Sequence, residues 1–352
     1  MSLQASSGTR NVRKPFRLLC DAGMLTPRIS LPIARWTPTW RQLLIAGLAV
    51  AFCAGANGCG GQAHKSAIAS HQRKAARRHD PIPLSSLHGR IAFTHGDDVW
   101  IADANGSHAR RLTHRPGPEL DPSWSPDGKR IIYRDSRRGY NQNDEIYVMS
   151  ATGREAHNVT RSPENEWSPS WSPDGKMIAF YSGELYVMHP DGSGVRAITT
   201  VEGEYPAWSH DGTRLAFMSA EPDARGSNPN YDAFVIGRDG KGLRQLTHWP
   251  GEEGWPAWSP DDNWIAFNST YPTNDPNRRL VYVMHADGSD KHVLVRAISA
   301  SYPVWSPDGK TIMFSGSRGQ TSDDDHLWVV RPDGTGLRQL PLAGWLVDWH
   351  QP

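Results

Sequence analysis

One six-residue phrase recurs along the chain and limits the folds that the chain can adopt. Trp-Ser-Pro-Asp-Gly-Lys occurs three times in full, and looser copies occur between and after these. The tryptophans that begin the copies are Trp124, Trp171, Trp208, Trp258, Trp305 and, near the end, Trp349. They are 47, 37, 50, 47 and 44 residues apart. A period of this size indicates a repeat architecture in which each copy forms one supersecondary unit.

Each unit has the same internal order of strands and turns. In the third unit, residues 169–171, 176–181, 184–189 and 195–199 are rich in β-branched and aromatic residues, which predicts four short strands. Between them, Ser-Pro-Asp-Gly and Asp-Gly-Ser-Gly predict tight turns, because proline presets φ and glycine accepts positive φ. The pattern predicts a four-stranded antiparallel sheet in every unit.

Six such sheets without helices between them predict an all-β fold, a six-bladed β-propeller. The first unit has only three strand patterns, over residues 88–95, 98–103 and 109–113. Near the C-terminus, residues 347–349 match the tryptophan-bearing strand of the other units. We therefore expect the C-terminal strand to pair in the first blade and close the ring, which leaves no long open sheet edge.

The repeated phrase, with Ile-Ala-Phe after it and Tyr-Val-Met further on, resembles the repeat of TolB-type propellers over residues 88–352. TolB itself carries an α/β domain ahead of its propeller, and no such domain is expected here. The resemblance therefore covers the propeller alone and does not imply membership of a Tol-Pal complex. Related propellers also precede prolyl-oligopeptidase-type hydrolase domains and occur as oligogalacturonate lyases.

The N-terminal 58 residues are expected to be a signal segment. Arg41 precedes an apolar run over residues 43–52, and small residues over 54–58 lead to Cys59. This exit resembles the cleavage box of bacterial lipoproteins, which implies lipidation of Cys59 and an extracytoplasmic, membrane-anchored location. A plain cleaved signal and an uncleaved anchor are the alternatives. Initiation at Met24 would shorten the unusually long flank to an ordinary length.

Residues 59–87 are expected to be a disordered basic tether, with residues 88–352 forming the propeller. The tether is rich in Ala, Ser, His and basic residues and has no apolar periodicity. It could adhere to anionic lipid or serve only as a solvated linker. Residues 1–88 hold 12 Lys and Arg and two Asp, so the remainder has 26 basic and 35 acidic residues. An acidic propeller argues against a nucleic-acid partner.

In a four-stranded meander, the loops after strands two and four share one face of the propeller. Here these loops are long and irregular, whereas the opposite face carries the uniform short turns. Function concentrates in variable loops on rigid scaffolds. We call the first face the variable-loop face and expect binding there.

Carboxylates precede the first strand of four successive units, which suggests a ligand site at the channel mouth. Glu119, Glu166 and Glu253 stand five residues before a repeat tryptophan, and Glu204 stands four before. A ring of these carboxylates could bind a peptide amino group or a divalent cation such as calcium. They could equally cap turns or pair with neighbouring arginines.

Aromatic residues stand three positions before three of the repeat tryptophans. Tyr205, Trp255 and Tyr302 could line the same mouth and stack on a ligand, or they could pack between blades. The repeat tryptophans themselves are interpreted as structural.

Catalytic motifs are weak in this sequence. It has no Gly-x-Ser-x-Gly elbow, no His-Glu-x-x-His helix and no paired-cysteine metal motif. Four histidines at strand ends, His95, His114, His157 and His248, could be metal ligands or simply exposed side chains. The leading hypothesis is a monomeric, non-enzymatic envelope scaffold that binds a protein or peptide. The alternatives are a metal-assisted, lyase-type carbohydrate enzyme using Glu and His at the channel mouth, and a sensor or accessory subunit.

Overall fold

A computed structural model describes residues 80–136, 143–221, 230–273, 275, 278–318 and 325–350. The predicted signal segment, Cys59 and most of the predicted tether lie outside these residues, as do parts of the variable loops. Among the described residues, no helix has the length and hydropathy needed to cross a membrane.

Twenty-four strands form six antiparallel sheets of four strands each within the described residues. The first two blades contain β1 (Arg90–His95), β2 (Asp98–Asp103), β3 (Arg110–Arg111), β4 (Glu119–Trp124), β5 (Arg130–Asp135), β6 (Glu145–Ser150) and β7 (His157–Asn158). The third and fourth contain β8 (Trp167–Trp171), β9 (Ile178–Tyr181), β10 (Leu185–Met188), β11 (Arg196–Ala197), β12 (Glu204–Trp208), β13 (Arg214–Glu221), β14 (Asn230–Gly237) and β15 (Arg244–Gln245). The last two contain β16 (Glu253–Trp258), β17 (Trp264–Ser269), β18 (Leu280–His285), β19 (His292–Val295), β20 (Ser299–Trp305), β21 (Ile312–Ser317), β22 (His326–Val330) and β23 (Arg338–Ala343).

The final strand, β24 (Trp345–His350), completes blade one. Its sheet has the order β24-β1-β2-β3, and Ile91 pairs with Trp349 in an antiparallel register. The first strands of the blades contact one another in cyclic order, and β24 contacts both β20 and β4. The predicted six-bladed propeller and its closure by the C-terminal strand are confirmed.

Each pair of neighbouring blades encloses its own apolar cluster, so the core is a ring of six interfaces. The repeat tryptophans end the first strands and are at most 8% exposed. Two of them donate their indole N–H to the preceding blade: Trp208 to the Ser170 carbonyl at 3.2 Å and Trp258 to the Ala207 carbonyl at 3.2 Å. The tryptophans therefore join blades, consistent with the structural role expected from the sequence.

The repeated Ser-Pro-Asp-Gly phrase forms the expected turn through side-chain hydrogen bonds. In blade three, the Ser172 hydroxyl donates to Asp174 at 2.7 Å and accepts from the backbone N–H of Met177 at 2.9 Å. Gly175 closes the turn at φ +68°. Equivalent serine and aspartate pairs recur in blades two, four, five and six, which gives the turn face its uniform shape.

The folded chain begins earlier than residue 88. Ile82 and Leu87 are buried in the cluster between blades six and one, on either side of a 3-10 turn at Leu84–Ser86. The backbone N–H of Ile82 donates to the Gly336 carbonyl at 3.0 Å. These two apolar side chains therefore pack on the propeller within the segment predicted as the tether, residues 59–87.

Candidate binding site at the mouth of the central channel

The first strands surround a central cavity of about 170 Å³. Each blade contributes the three residues that precede its repeat tryptophan. The lining segments are 121–123, 168–170, 205–207, 255–257, 302–304 and 346–348. All six blades thus contribute equivalent backbone positions to the cavity, but the side chains at these positions differ from blade to blade.

The first residue of every lining segment adopts a left-handed backbone conformation. Its φ lies between 50° and 55° in all six blades, although none of the six is glycine. The pairing of the first strand shifts register at the same place in each blade, which marks a β-bulge. Proline follows this residue in five blades. Proline is tolerated within sheets at bulges, which agrees with its position here. Positive φ strains a bulky residue, so the six bulges form a channel wall of strained backbone.

Aromatic side chains form a continuous arc on one side of the channel. The ring centroids of Tyr205 and Trp255 lie 5.2 Å apart, and those of Trp255 and Tyr302 lie 4.8 Å apart. Trp345 extends the arc at 6.1 Å from Tyr302. The structure therefore brings together the three aromatic residues selected from the sequence. Their role in binding a ligand stays a prediction.

The opposite side of the channel is polar. Asp121 and Ser168 occupy the bulge positions of blades two and three, and the Ser168 N–H donates to the Asp121 carboxylate at 3.2 Å. The Arg134 guanidinium lies 3.2 Å from the same carboxylate and 3.5 Å from Asp144. Asp144 in turn accepts the indole N–H of Trp167 at 2.6 Å. This network holds a cation and two carboxylates at the polar rim.

A second cation lies behind the aromatic arc. The Arg279 guanidinium stands 5.2 Å above the Trp255 ring and donates to Glu252 at 2.8 Å. The indole nitrogen of Trp255 is buried and has no hydrogen-bond partner among the described residues. A buried donor without a partner is costly, and an acceptor from water or from a ligand would satisfy it.

Burial keeps the tyrosines of the arc neutral. Desolvation raises the pKa of Tyr205 well above its usual value of 10, and it raises the pKa of Tyr302 in the same way. Both side chains therefore carry a hydroxyl hydrogen at physiological pH. Together with the Trp255 indole, the arc combines flat apolar faces with uncharged donors, which suits carbonyl acceptors.

The four glutamates are not among the residues that line the cavity. Glu119, Glu166 and Glu253 are at most 2% exposed. Glu253 accepts the Ser269 hydroxyl at 2.6 Å, and the half-buried Glu204 accepts the Tyr231 hydroxyl at 3.4 Å. Among the described residues, no group of three or more His, Cys, Asp or Glu side chains is arranged to hold a metal ion. The ligand-binding role of these glutamates stays a prediction.

Desolvation dominates the ionisation of these glutamates. It raises the pKa of Glu119, Glu166 and Glu204 from 4.5 to about 7 and that of Glu253 to about 8. The carboxylate of Asp135 adds to the shift of Glu119. Near neutral pH these buried carboxyl groups are therefore only partly ionised.

The four candidate histidines are separate and exposed. His95 packs edge-on against Trp100 at 5.5 Å, and the ring of His157 lies 2.9 Å from the Glu155 carbonyl. His114 and His248 are also exposed. The structure does not gather these side chains into one site within the part of the chain that it describes.

Known proteins resemble this chain chiefly in its fold. The model of the tricorn protease N-terminal β-propeller domain matches residues 85–184. A protein assigned as TolB from Agrobacterium tumefaciens superposes with a TM-score of 0.59 at 22% identity, over 74% of this chain and 91% of that one. TolB from Acinetobacter baumannii gives 0.61 at 23% identity, over 81% of this chain and 70% of that one. The chain therefore shares the six-bladed β-propeller fold of these two TolB structures.

Similarity in sequence to a characterised protein is confined to a short stretch. The Tol-Pal system protein TolB of Nitratidesulfovibrio vulgaris is 44% identical over 36 residues, which is 10% of this chain and 8% of that protein. The tricorn protease gives a TM-score of 0.57 at 17% identity, over 78% of this chain and 26% of that one. These matches bear on the fold and do not transfer a partner or an activity.

Proposed function

We propose that this chain is a non-enzymatic scaffold of the bacterial cell envelope that binds a protein or peptide at the channel mouth. The observation that carries the proposal is the aromatic arc of Tyr205, Trp255 and Tyr302 with the unpartnered indole nitrogen of Trp255. Clustered Tyr and Trp side chains are the residues that contribute most binding energy in protein interfaces. A backbone carbonyl of the partner would accept the free indole N–H.

The surroundings of the arc favour a polypeptide ligand. The tyrosine hydroxyls are neutral donors, and the guanidinium groups of Arg134 and Arg279 are each already engaged by carboxylates. An uncharged row of backbone carbonyls matches such donors, and the aromatic faces match apolar side chains. The bulges hold the rings on rigid strands, which lowers the entropy cost of ordering them on binding.

The envelope location rests on the sequence and on the resemblance to TolB. The apolar run over residues 43–52 with its basic flank has the form of an export signal, and Cys59 follows at the position of a lipidated residue. The fold is that of two TolB structures, and a Tol-Pal system protein shares a short stretch. The proposal therefore includes export and anchoring through a lipid on Cys59.

Replacement of Trp255 by asparagine is expected to abolish partner capture without unfolding the propeller. Asparagine tolerates the left-handed conformation that residue 255 adopts, at φ 50°. Loss of a central aromatic contact costs about 2 kcal/mol or more of binding energy, which is roughly a 30-fold loss of affinity. The measurement is chemical cross-linking in cells that express the full chain, followed by quantification of the cross-linked partner.

A matched control is Leu243→Asn, which replaces an exposed apolar residue that lies after the third strand of blade four. This variant is expected to capture the partner as the unchanged chain does. Equal capture by the Trp255→Asn variant would contradict the proposal. Release of unsaturated sugar products from a polysaccharide in the presence of a divalent cation would instead favour the lyase alternative.

Replacement of Cys59 by serine is expected to release the chain from the membrane fraction. A lipid attached at Cys59 requires the thiol, and a hydroxyl cannot take its place in a thioether. The measurement is fractionation of cells followed by detection of the chain, with Cys53→Ser as the matched control. Retention of the Cys59→Ser variant in the membrane would contradict lipid anchoring and leave an uncleaved apolar anchor as the explanation.

A further inference from the structure

Three blade interfaces share a pairing between an arginine and a repeat tryptophan. The guanidinium carbon of Arg90 lies 4.7 Å from the ring centroid of Trp124 in the next blade. Arg130 lies 4.8 Å from Trp171, and Arg214 lies 4.5 Å from Trp258. A cation over an indole face is attracted by the ring quadrupole. At three interfaces, an arginine of one blade thus places its guanidinium group over the repeat tryptophan of the next blade, near the turn face.

The arginine is absent from three further interfaces, and in each of them another part of the chain packs against the cluster that contains the repeat tryptophan. Met177 stands at the arginine position between blades three and four and packs against the cluster that contains Trp208. Thr311 stands there between blades six and one, where Leu87 joins the cluster of Trp349 and the Trp349 indole donates to the His88 carbonyl at 2.8 Å.

The interface between blades five and six is different. Trp264 occupies the arginine position and packs against the cluster that contains Trp305, and its ring also stacks on His285 with centroids 3.9 Å apart. A cavity of about 680 Å³ lies beside it, and Trp305, the repeat tryptophan of blade six, is part of the wall. This volume lies within the range of small-ligand pockets. Of the three repeat tryptophans without an internal arginine, Trp305 is the one that borders this cavity.

Carboxylates surround the same cavity. Asp261, Asp308 and Asp333 line it, and all three are exposed at the turn face. Hydrogen bonds from Ser259 and Asn263 hold the pKa of Asp261 below its usual value. Nearby charged groups include Lys310, 3.2 Å from Asp308, and Arg331, which precedes the lining residue Pro332. The rings of His285 and His292 lie 3.9 Å and 4.0 Å from Asp290. The carboxylates outnumber the permanent cations around this opening.

We propose that the cavity between blades five and six, beside Trp264 and Trp305, binds the guanidinium group of an arginine side chain, the group that three other interfaces supply from within the chain. A guanidinium is planar, stacks on an indole and donates in a fork to carboxylates, so it fits the combination of Trp305 with Asp261 and Asp308 better than an ammonium does. The cavity is larger than one side chain and has room for adjacent residues of a peptide. This site lies on the turn face, opposite the variable-loop face, and does not depend on the proposed function.

Two sources could supply the arginine. One is another protein. The other is this chain, because Arg77 and Arg78 precede Asp80, whose carbonyl accepts a hydrogen bond from Arg331 at 3.2 Å, next to the lining residue Pro332. The chemistry of the site is the same in both cases, and the experiment separates them.

The test is calorimetric titration of the full chain with the capped tripeptide Gly-Arg-Gly and with its citrulline analogue, which is nearly isosteric and uncharged. We expect the arginine peptide to bind at least about tenfold more tightly, since a desolvated cation over an indole contributes about 1 to 2 kcal/mol. The decisive variant is Trp264→Arg, which introduces the arginine that blades one, two and four supply to the next tryptophan. It should fold, and it should lose at least about tenfold in affinity because its own guanidinium competes for Trp305.

The matched control is Met177→Arg, which places the same residue at the equivalent position between blades three and four, and it should leave binding unchanged. If Arg77 or Arg78 fills the site, the double variant Arg77→Ser/Arg78→Ser will bind the tripeptide more tightly than the unchanged chain does. If another protein is the source, the double variant and the unchanged chain will bind the tripeptide with equal affinity. Equal affinity for the two peptides, no binding by either chain, or unchanged affinity in Trp264→Arg would overturn the proposal.

Discussion

Deletion of residues 345–352 is expected to abolish the cooperative thermal transition of the propeller or to lower its midpoint by more than about 15 °C. The deletion removes β24, which is the innermost strand of blade one. Trp349 and Val347 are buried in the cluster between blades six and one. Loss of one buried tryptophan costs about 3 to 5 kcal/mol, and a whole domain is stable by only about 5 to 15 kcal/mol.

The effect extends to both neighbouring blades, since β24 contacts β20 and β4. The Asp348 carboxylate accepts the backbone N–H of Trp124 in blade two at 2.7 Å, so the deletion leaves that donor without its partner. The strand β1 also becomes an open edge, which invites pairing with other molecules. We therefore expect aggregation together with the loss of stability, measured by size-exclusion chromatography and by circular dichroism during heating.

Two companion experiments separate ring closure from a local defect. Trp349→Phe keeps most of the apolar bulk and loses the hydrogen bond to the His88 carbonyl with part of the indole packing, so it should cost about 1 to 3 kcal/mol, less than the deletion. A synthetic peptide of residues 343–352, added in trans, should restore part of the transition of the truncated chain. A melting curve of the truncated chain close to that of the full chain would show that closure does not stabilise the propeller.

The blades could be predicted from the sequence because the repeat, the turn residues and the strand residues all indicate the same structure. The periodic Trp-Ser-Pro-Asp-Gly-Lys phrase, the turn glycines and the alternation of the strands all favour four short strands. The three-strand first unit and the strand pattern around Trp349 suffice to predict closure. Each of these features is either contained in a short stretch of sequence or repeated along the chain, so that a clear copy helps to identify a weaker one.

The position of the glutamates could not be read in the same way. Spacing alone suggests that residues five and three positions before the tryptophan share a face, because side chains alternate along a strand. The bulge interrupts this alternation: Glu119 pairs with Asp135 and is buried, whereas Asp121 adopts φ +54° and lines the channel. The sequence does contain a signal for this bulge, because proline inside a strand pattern indicates one. Pro122 and the equivalent prolines of four other blades stand at this position.

The chemistry of the channel also depends on contacts between distant segments. Tyr205, Trp255 and Tyr302 each stand three residues before a repeat tryptophan, which indicates that their positions are equivalent. This spacing does not indicate that Arg279 lies over the Trp255 ring. Nor does the spacing show that Trp264 stands where three other blades place an arginine against the next tryptophan. Such pairings require the blades to be placed side by side.

The free energy of unfolding is expected to be larger at pH 5 than at pH 9, by several kcal/mol. Burial raises the pKa of Glu119 to about 7 and that of Glu253 to about 8 in the folded chain, from 4.5. Between pH 4.5 and these values the folded state holds protons that the unfolded state has released. Stability therefore falls as the pH rises through this window and levels off above pH 8. Since one pK unit corresponds to about 1.4 kcal/mol, each group contributes on the order of 3 kcal/mol.

The variant Glu119→Gln assigns part of this dependence to one residue. Glutamine has nearly the same shape and does not ionise, so the variant should be more stable than the unchanged chain at pH 9 and should show a shallower pH dependence. Glu155→Gln, at an exposed turn position, is the matched control and should follow the unchanged chain at every pH. Urea unfolding at pH 5, 7 and 9 measures all three. Greater stability of the unchanged chain at pH 9 than at pH 5 would show that the buried carboxyls are stabilised as anions, which would return a bound cation to consideration.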